Sequence, residues 1–472
     1  MSLKDTNKNS LEKTYGYVWD KYTGKELDDL FAFSEGYKDF ISHCKTEREC
    51  VSEFIRLAEE NGYRDLATFI EKGQPLKAGD KVYANNAGKT LALFVIGSQS
   101  MEKGLRIVGA HVDVPRLDLK QNPLYEDSGL ALFKTHYYGG IKKYQWVTIP
   151  LAIHGVVIKK DGTVVDIVIG EDEKDPVVGI TDLLIHLASD QMDKKLSKAI
   201  EGEDLNISLG SIPVEEKDEK DRVKKNILRL LNEKYGITEE DFVSAELEVV
   251  PAGKARDYGL DRSMVMGYGH DDRVCAYTAF KALMDIENPD KTCVALMVDK
   301  EEIGSVGATG MTSKFFENTV AEVMNLVGDY SELKLRRCLA NSKMLSGDVS
   351  AAFDPNYPSV TEPKNSAYMG KGMTFNKYTG VRGKSGSNDA NPEFIAELRA
   401  IMEKHDVMWQ TAELGKVDQG GGGTIAYILA EYGMDVIDCG VPVHNMHAPW
   451  EIASKADIYE TMRGYKAFFM EA

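Results

Sequence analysis

Cysteine is scarce in this sequence. The six of them, Cys44, Cys50, Cys275, Cys293, Cys338 and Cys439, are scattered through 472 residues, and no two form a C-x-x-C pair. That excludes a disulfide-stapled scaffold and a cysteine-based zinc ribbon, and it fits reduced core thiols in a cytoplasmic protein. Positive charge is also in short supply: 57 Lys and Arg stand against 75 Asp and Glu, a formal net charge of -18. Nucleic acid and anionic membrane both need a cationic face, so neither is expected as a partner. No apolar run approaches the length of a membrane span. The opening segment MSLKDTNKNSLEKTYG lacks the apolar stretch of a secretory leader. Internal repeats and low-complexity tracts are absent as well.

What is present reads as a large globular chain, 43% hydrophobic and 28% charged. Its length suggests two domains, or one with an insertion. Residues 39–60 place Phe40, Cys44, Val51, Phe54, Ile55 and Ala58 at helical spacing. KVYANNAGKTLALFVIG (81–97) reads as a hairpin, and LRIVGAHVDV (105–114) as a buried strand with a polar end. The texture then becomes β-rich. Residues 145–170 form two β-branched runs around a Lys-Asp-Gly turn. ITDLLIHLASDQMDKKL is predicted helical, and 215–236 is a charged run leading into an amphipathic helix.

Beyond about residue 255 strands and helices alternate. The expected helices are 271–286, 391–406 and 421–433. The expected strands are 292–300, the segments EVMNLVGDYSEL and KMLSGDVSAAF, and 434–441. Alternation of this kind gives a layered α/β domain. The fold expected is therefore α/β, a three-layer catalytic domain made of residues 1–121 and 256–472, interrupted by a β-rich domain of residues 122–255.

The chemistry collects where the α/β strands end, the edge at which open α/β sheets build their sites. His111 and Asp113 in GAHVDVP, Asp271 in GYGHDDRV, Glu301 and Glu302 in DKEEIGS, Asp348 in SGDVS and His447 in HNMHAPWE all fall there. Imidazole nitrogen mixed with carboxylate oxygen suits zinc or a similar divalent ion. Residues two apart on a strand face the same way, so Asp113 projects with His111 and can orient its ring. Two adjacent glutamates repel each other at the end of a buried strand. A divalent cation removes that repulsion, leaving one glutamate as ligand and the other as a base for water. Asp271 has a second reading as a helix cap, and Asp348 as a turn residue. The Gly420–Gly423 run lets a substrate backbone approach closely or simply starts a helix, and no Walker or G-x-G-x-x-G pattern accompanies it.

The motifs HVDVPRLDLK, GHDDRVCAY, DKEEIGS, SGDVSAAFDPNYP, GGGGTIAYILA and MHAPWEIASKADIYET, in this order over most of the chain, resemble the aspartyl aminopeptidase family of zinc metallopeptidases. The resemblance implies two metal ions, zinc with cobalt and manganese as alternatives. His111 and Asp348 would bind one, Glu302 and His447 the other, and Asp271 would bridge them. Glu301 would be the general base and Asp113 the residue orienting His111. It implies removal of N-terminal residues from peptides with a free N-terminus, by attack of water activated at the metals. The β-rich insertion would make dimer contacts within a tetrahedral dodecamer, and His186 would reach a neighbouring subunit's site.

Two positions depart from the family pattern. Asn376 stands in the register of the lysine that binds an acidic substrate side chain, with Lys377 beside it and Lys384 further on as candidate substrate-binding residues. Asp272 replaces the usual asparagine after the bridging aspartate. The alternatives are a related deacylase or carboxypeptidase on the same ligands, or an inactive shell-forming scaffold.

Overall fold

The computed structural model describes residues 13–471. Most of the opening segment read above as leader-free, residues 1–12, lies outside them. The chain divides into two compact units. One runs up to Asp113 and continues over Ala255–Met446 and from Glu451 on; the other comprises Val114–Lys254 and His447–Trp450. The breaks fall after residues 113 and 254, against the 121 and 255 expected, because the strand Arg116–Asp127 runs across the first expected boundary.

The first unit is built on a nine-stranded mixed sheet. Its strands lie in the order Arg64–Asp65, Lys81–Asn86, Thr90–Val95, Cys293–Val298, Arg106–His111, Lys343–Gly347, Asp435–Gly440, Met373–Asn376 and Trp409–Thr411. The four central strands, from Cys293–Val298 to Asp435–Gly440, are mutually parallel. All six residues of Arg106–His111 and of Cys293–Val298 are buried, as strands covered on both faces require. Alternation along the strands divides the core. Val108, Ala110, Ala295, Met297, Leu345 and Ile437 pack with Val274, Phe280, Tyr465 and Phe468. Ile107, Val294, Leu296, Met344 and Val436 pack with Phe316, Val320, Leu335 and Leu429. Helices therefore cover both sides, which gives the three layers. A five-stranded sheet joins the strands Arg256–Tyr258, Met264–Gly267, Glu451–Ser454, Pro442–His444 and Ser350–Ala351.

The second unit carries a six-stranded antiparallel sheet, in the order Val164–Ile169, Leu151–Ile158, Ala245–Pro251, Arg116–Asp127, Leu130–Tyr138 and Ile207–Gly210. The pair 151–158 and 164–169 is the expected Lys-Asp-Gly hairpin. The helix Arg222–Tyr235 is started by Glu126, whose carboxylate accepts the backbone N–H groups of Val223 and Lys224 at 2.8 and 3.0 Å.

Several local expectations change. The span 39–60 is not one helix but the end of Lys25–His43 and the whole of Glu47–Glu60; Thr46 forms a capping box with Glu49 that restarts the chain. EVMNLVGDYSEL is the end of the helix Phe315–Leu326 and the start of Glu332–Asn341, so its apolar residues follow helical rather than strand period. ITDLLIHLASDQMDKKL forms only the short turns Ile185–Leu187 and Ser189–Met192, because its leucines lie mostly exposed and no apolar face is buried. The helix expected at 421–433 shortens to Ala426–Ala430, the glycines before it staying in a loop. Among the described residues no helix is long and apolar enough to cross a membrane.

Candidate metal centre

The strand Arg106–His111 delivers His111, which is buried, to the edge of the central sheet. Its Nδ1–H donates to the backbone carbonyl of Asp113 at 2.9 Å, with Asp113 Oδ1 at 3.5 Å. That bond fixes the tautomer and leaves the Nε2 lone pair available to a metal ion. Nε2 lies 3.3 Å from Asp271 Oδ1 and 3.8 Å from Glu301 Oε2.

Asp113 does more than orient the ring. Its carboxylate accepts the backbone N–H of Glu301 at 3.0 Å on Oδ1 and that of Glu302 at 3.2 Å on Oδ2. The two glutamates lie in one tight turn, Glu301–Ile303, entered through Lys300 at φ 70°. Adjacent carboxylates are thus held by a third carboxylate through their main chain, leaving their side chains for the site.

Asp271 and Asp272 open the helix His270–Met284 and are both buried. The Asp271 N–H donates to Glu451 Oε2 at 3.0 Å. Arg273, fully buried, donates from Nε to the Val112 carbonyl at 3.0 Å and from Nη2 to the Lys45 carbonyl at 2.8 Å. Asp348 follows Gly347 at the end of its strand. A Cβ on Gly440 would lie 2.1 Å from the Asp348 carbonyl oxygen, so glycine there lets the neighbouring strand end close on the aspartate.

Donor atoms of His111, Glu301 and Glu302 lie within 4.8 Å of one another, and so do those of His111, Asp271 and Asp348. Burial, then the carboxylates of Asp271, Asp272 and Glu301, push the Asp348 carboxyl well up. Burial and Asp271 do the same to Asp272. At His111 burial opposes protonation, but Asp113, Asp271 and Glu301 outweigh it and push the ring well up. Anionic groups crowded in a place with little water are stable together only around positive charge. A hard or borderline divalent cation with mixed N and O ligands fits that need.

The remaining sequence-predicted residues are placed as follows. His447 belongs to the second unit, where its Nδ1 is 2.8 Å from the Gly140 carbonyl. His186 lies in the turn Ile185–Leu187 of the same unit, exposed. Lys377 and Lys384 both bond the carboxylate of Asp389, at 2.8 and 3.0 Å. Asn376 is buried with Ser350 Oγ at 3.4 Å. Sequence reasoning gave no role to Arg273 or Glu451. Both are charged and fully buried, a property that shows only in the folded chain.

The parallel-centred α/β sheet, with histidine and carboxylates converging at the carboxyl ends of its strands, defines a metallohydrolase. Residues 40–469 match the model of the aminopeptidase I zinc metalloprotease family, M18. The probable M18 family aminopeptidase 1 of Clostridium acetobutylicum is 68% identical over 98% of this chain and 99% of its own. The crystal structure of aminopeptidase I from that organism superposes with a TM-score of 0.91 at 66% identity, covering 97% of this chain and all of the other. The M18 aminopeptidase of Thermotoga maritima gives 0.93 at 47% identity, covering 98% and 100%. The S. cerevisiae mApe1 dodecamer shares the fold at 22% identity, with a TM-score of 0.75 over 94% of this chain and 97% of its own. The chain belongs to the M18 family and is a zinc metalloaminopeptidase, a hydrolase.

Proposed function

We propose that this chain removes the first residue of peptides that carry a free N-terminus, with two zinc ions held between three shared and unshared sets of side chains. His111 and Asp348 would hold one ion, Glu302 and His447 the other, and Asp271 would serve both. When bound, the ions supply Lewis acidity that polarises the scissile carbonyl and makes water a nucleophile near neutral pH. Glu301, not needed as a ligand, takes the proton from the attacking water and passes it to the leaving amine. Asp113 keeps Glu301 at its station by the main-chain bond described above, and Asp271 is steadied by Glu451 in the same way. The observation that carries this reading is the convergence of His111, Asp271, Glu301, Glu302 and Asp348 from four distant stretches of sequence.

The alternatives on the same ligands, a deacylase or carboxypeptidase and an inactive scaffold, differ in what they cleave. Two zinc ions per chain by elemental analysis are expected. Aminoacyl p-nitroanilides should be hydrolysed, N-acetylated ones not, with activity abolished by chelation and restored by zinc. Hydrolysis confined to blocked substrates would overturn the assignment.

Self-association is part of the proposal. In the second unit Leu183, Leu184, Ile185, Leu187, Met192 and Leu196 are each more than half exposed, Leu187 reaching 73%. So much apolar surface in one stretch fits burial against another copy. The S. cerevisiae relative forms a dodecamer, and a tetrahedral shell of twelve is the assembly proposed here, with His186 presented to the neighbouring site. A cytoplasmic location accords with six buried, unpaired thiols. An acidic first residue is proposed in one form only. Lys377 or Lys384 would exchange Asp389 for the substrate's carboxylate.

A further inference from the structure

Regular helix geometry does not place Asp271. The helix His270–Met284 is irregular where it opens: Asp271 holds φ -80° and ψ 104°, Asp272 holds φ -118° and ψ 25°, and Gly269 before them is left-handed at φ 81°. The first N–H groups of a helix have no partner within it. Groups from elsewhere must therefore set the direction in which the Asp271 side chain leaves the backbone.

Two of those groups come from neighbouring strands. Met264–Gly267 and Glu451–Ser454 pair antiparallel, with Gly267 opposite Glu451. From one strand, Glu451 takes the Asp271 N–H at 3.0 Å. From the other, the Val265 carbonyl lies 3.1 Å from Nε2 of His270. Consecutive residues, 270 and 271, are thus tied to adjacent strands of the five-stranded sheet.

The His270 ring is held from a third direction. Tyr37, on the helix Lys25–His43, places its hydroxyl 2.6 Å from Nδ1. Tyr37, His270 and Val265 are all fully buried, and an imidazole buried without a carboxylate partner is neutral. A carbonyl can only accept, so Nε2 carries the ring hydrogen and Nδ1 accepts from the Tyr37 hydroxyl. Neither a flipped ring nor the other tautomer keeps both bonds. Packing supports the same arrangement: the Tyr37 ring centre is 5.6 Å from that of His270 and 5.4 Å from that of Tyr277 on the same helix as His270.

We propose that Tyr37 and His270 are positioning residues for the metal centre: the hydroxyl fixes the ring, and the fixed ring sets the backbone from which Asp271 projects. The inference rests on the role proposed above for Asp271. A carboxylate that serves two ions affects both when it shifts, so loosening it should weaken the two sites together.

Zinc titration with a chelating dye, the visible absorption of the cobalt-loaded protein, and kcat and KM would be compared for the unaltered enzyme, Tyr37→Phe, His270→Leu and the double variant. Tyr37→Phe deletes a single oxygen. It is expected to lower zinc affinity about 10-fold at both sites, to shift the cobalt bands, and to lower kcat with KM little changed. In the His270→Leu background it is expected to change zinc affinity no further, because the hydroxyl acts through the ring. Phe40→Leu loosens the same helix where it packs on Phe54 and Tyr277; it is expected to lower the thermal midpoint and leave the cobalt bands in place. Zinc affinity and cobalt bands unmoved in Tyr37→Phe, or moved as far by Phe40→Leu, overturn the proposal. A zinc content other than two in the unaltered protein counts against the two-ion reading instead. Tyr37→Phe is then compared on the zinc that is bound, and an unmoved affinity there overturns this proposal as well.

Discussion

Asp113 and Glu301 are joined side chain to main chain: the aspartate's Oδ1 accepts the glutamate's N–H at 3.0 Å, and its Oδ2 takes the N–H of Glu302 beside it. One carboxylate therefore sets the position of both glutamates. Charge-assisted bonds of this kind contribute about 1.5–3 kcal/mol each. Asp113→Ala should leave the fold intact, weaken zinc about 10- to 100-fold and lower kcat by at least as much. Asp113→Asn, which retains one acceptor oxygen, should fall between. Zinc titration with a chelating dye, alongside kcat, would check this, and an Asp113→Ala enzyme with unaltered kcat would contradict it.

Glu301→Gln keeps the size of the side chain and removes its ability to carry a proton. Zinc content should stay that of the unaltered protein while kcat falls about 10²- to 10⁴-fold, with KM little changed. Zinc lost together with activity would make Glu301 a ligand instead of the base.

Asp389 holds both Lys377 and Lys384 in pairs that are about half exposed. Exposed pairs contribute about 0–1 kcal/mol, so Asp389→Asn should alter stability little. It should raise kcat/KM for glutamyl over alanyl p-nitroanilide by about 3- to 10-fold. An unmoved ratio would show that neither lysine meets the first residue.

Asp438, on the strand Asp435–Gly440, is fully buried, and burial pushes its carboxyl from 3.8 up to about 7. The folded form thus holds this proton more tightly than the unfolded form. The stability it confers is complete below about pH 4 and is lost as pH rises through about 7. The difference amounts to about 4 kcal/mol. Asp438→Asn should flatten the fall in stability between those pH values and unfold at higher urea than the unaltered protein at pH 8, compared with pH 5.

Much of this was legible in the sequence because strand ends carry their chemistry openly. His111, Asp271, Glu301, Glu302 and Asp348 each follow or flank a β-rich or glycine-rich stretch, and four such motifs in order are hard to mistake. The layered core was legible from the alternation of strands and helices beyond about residue 255 and from the buried-strand runs at 105–114 and 292–300. The segment 322–333, the end of one helix and the start of the next, was misread as a strand because a short apolar run has no decisive period. The turns at 183–196 were misread as a helix because composition does not show whether an apolar face finds a partner. Glu451 and Arg273 were silent for another reason. A buried charge is defined by its surroundings, and those come from residues hundreds of positions away.

The chain's departure from its first unit is tied down at Asp113, and its return at Ala255, whose N–H donates to Ser42 Oγ at 3.0 Å. Both anchors belong to the host. Sequence spliced between them can change without moving His111, Asp271, Glu301, Glu302 or Asp348, provided the two moorings hold and Gly140 still meets His447. The excursion can therefore carry this chain's contacts with other molecules while those five groups keep their places.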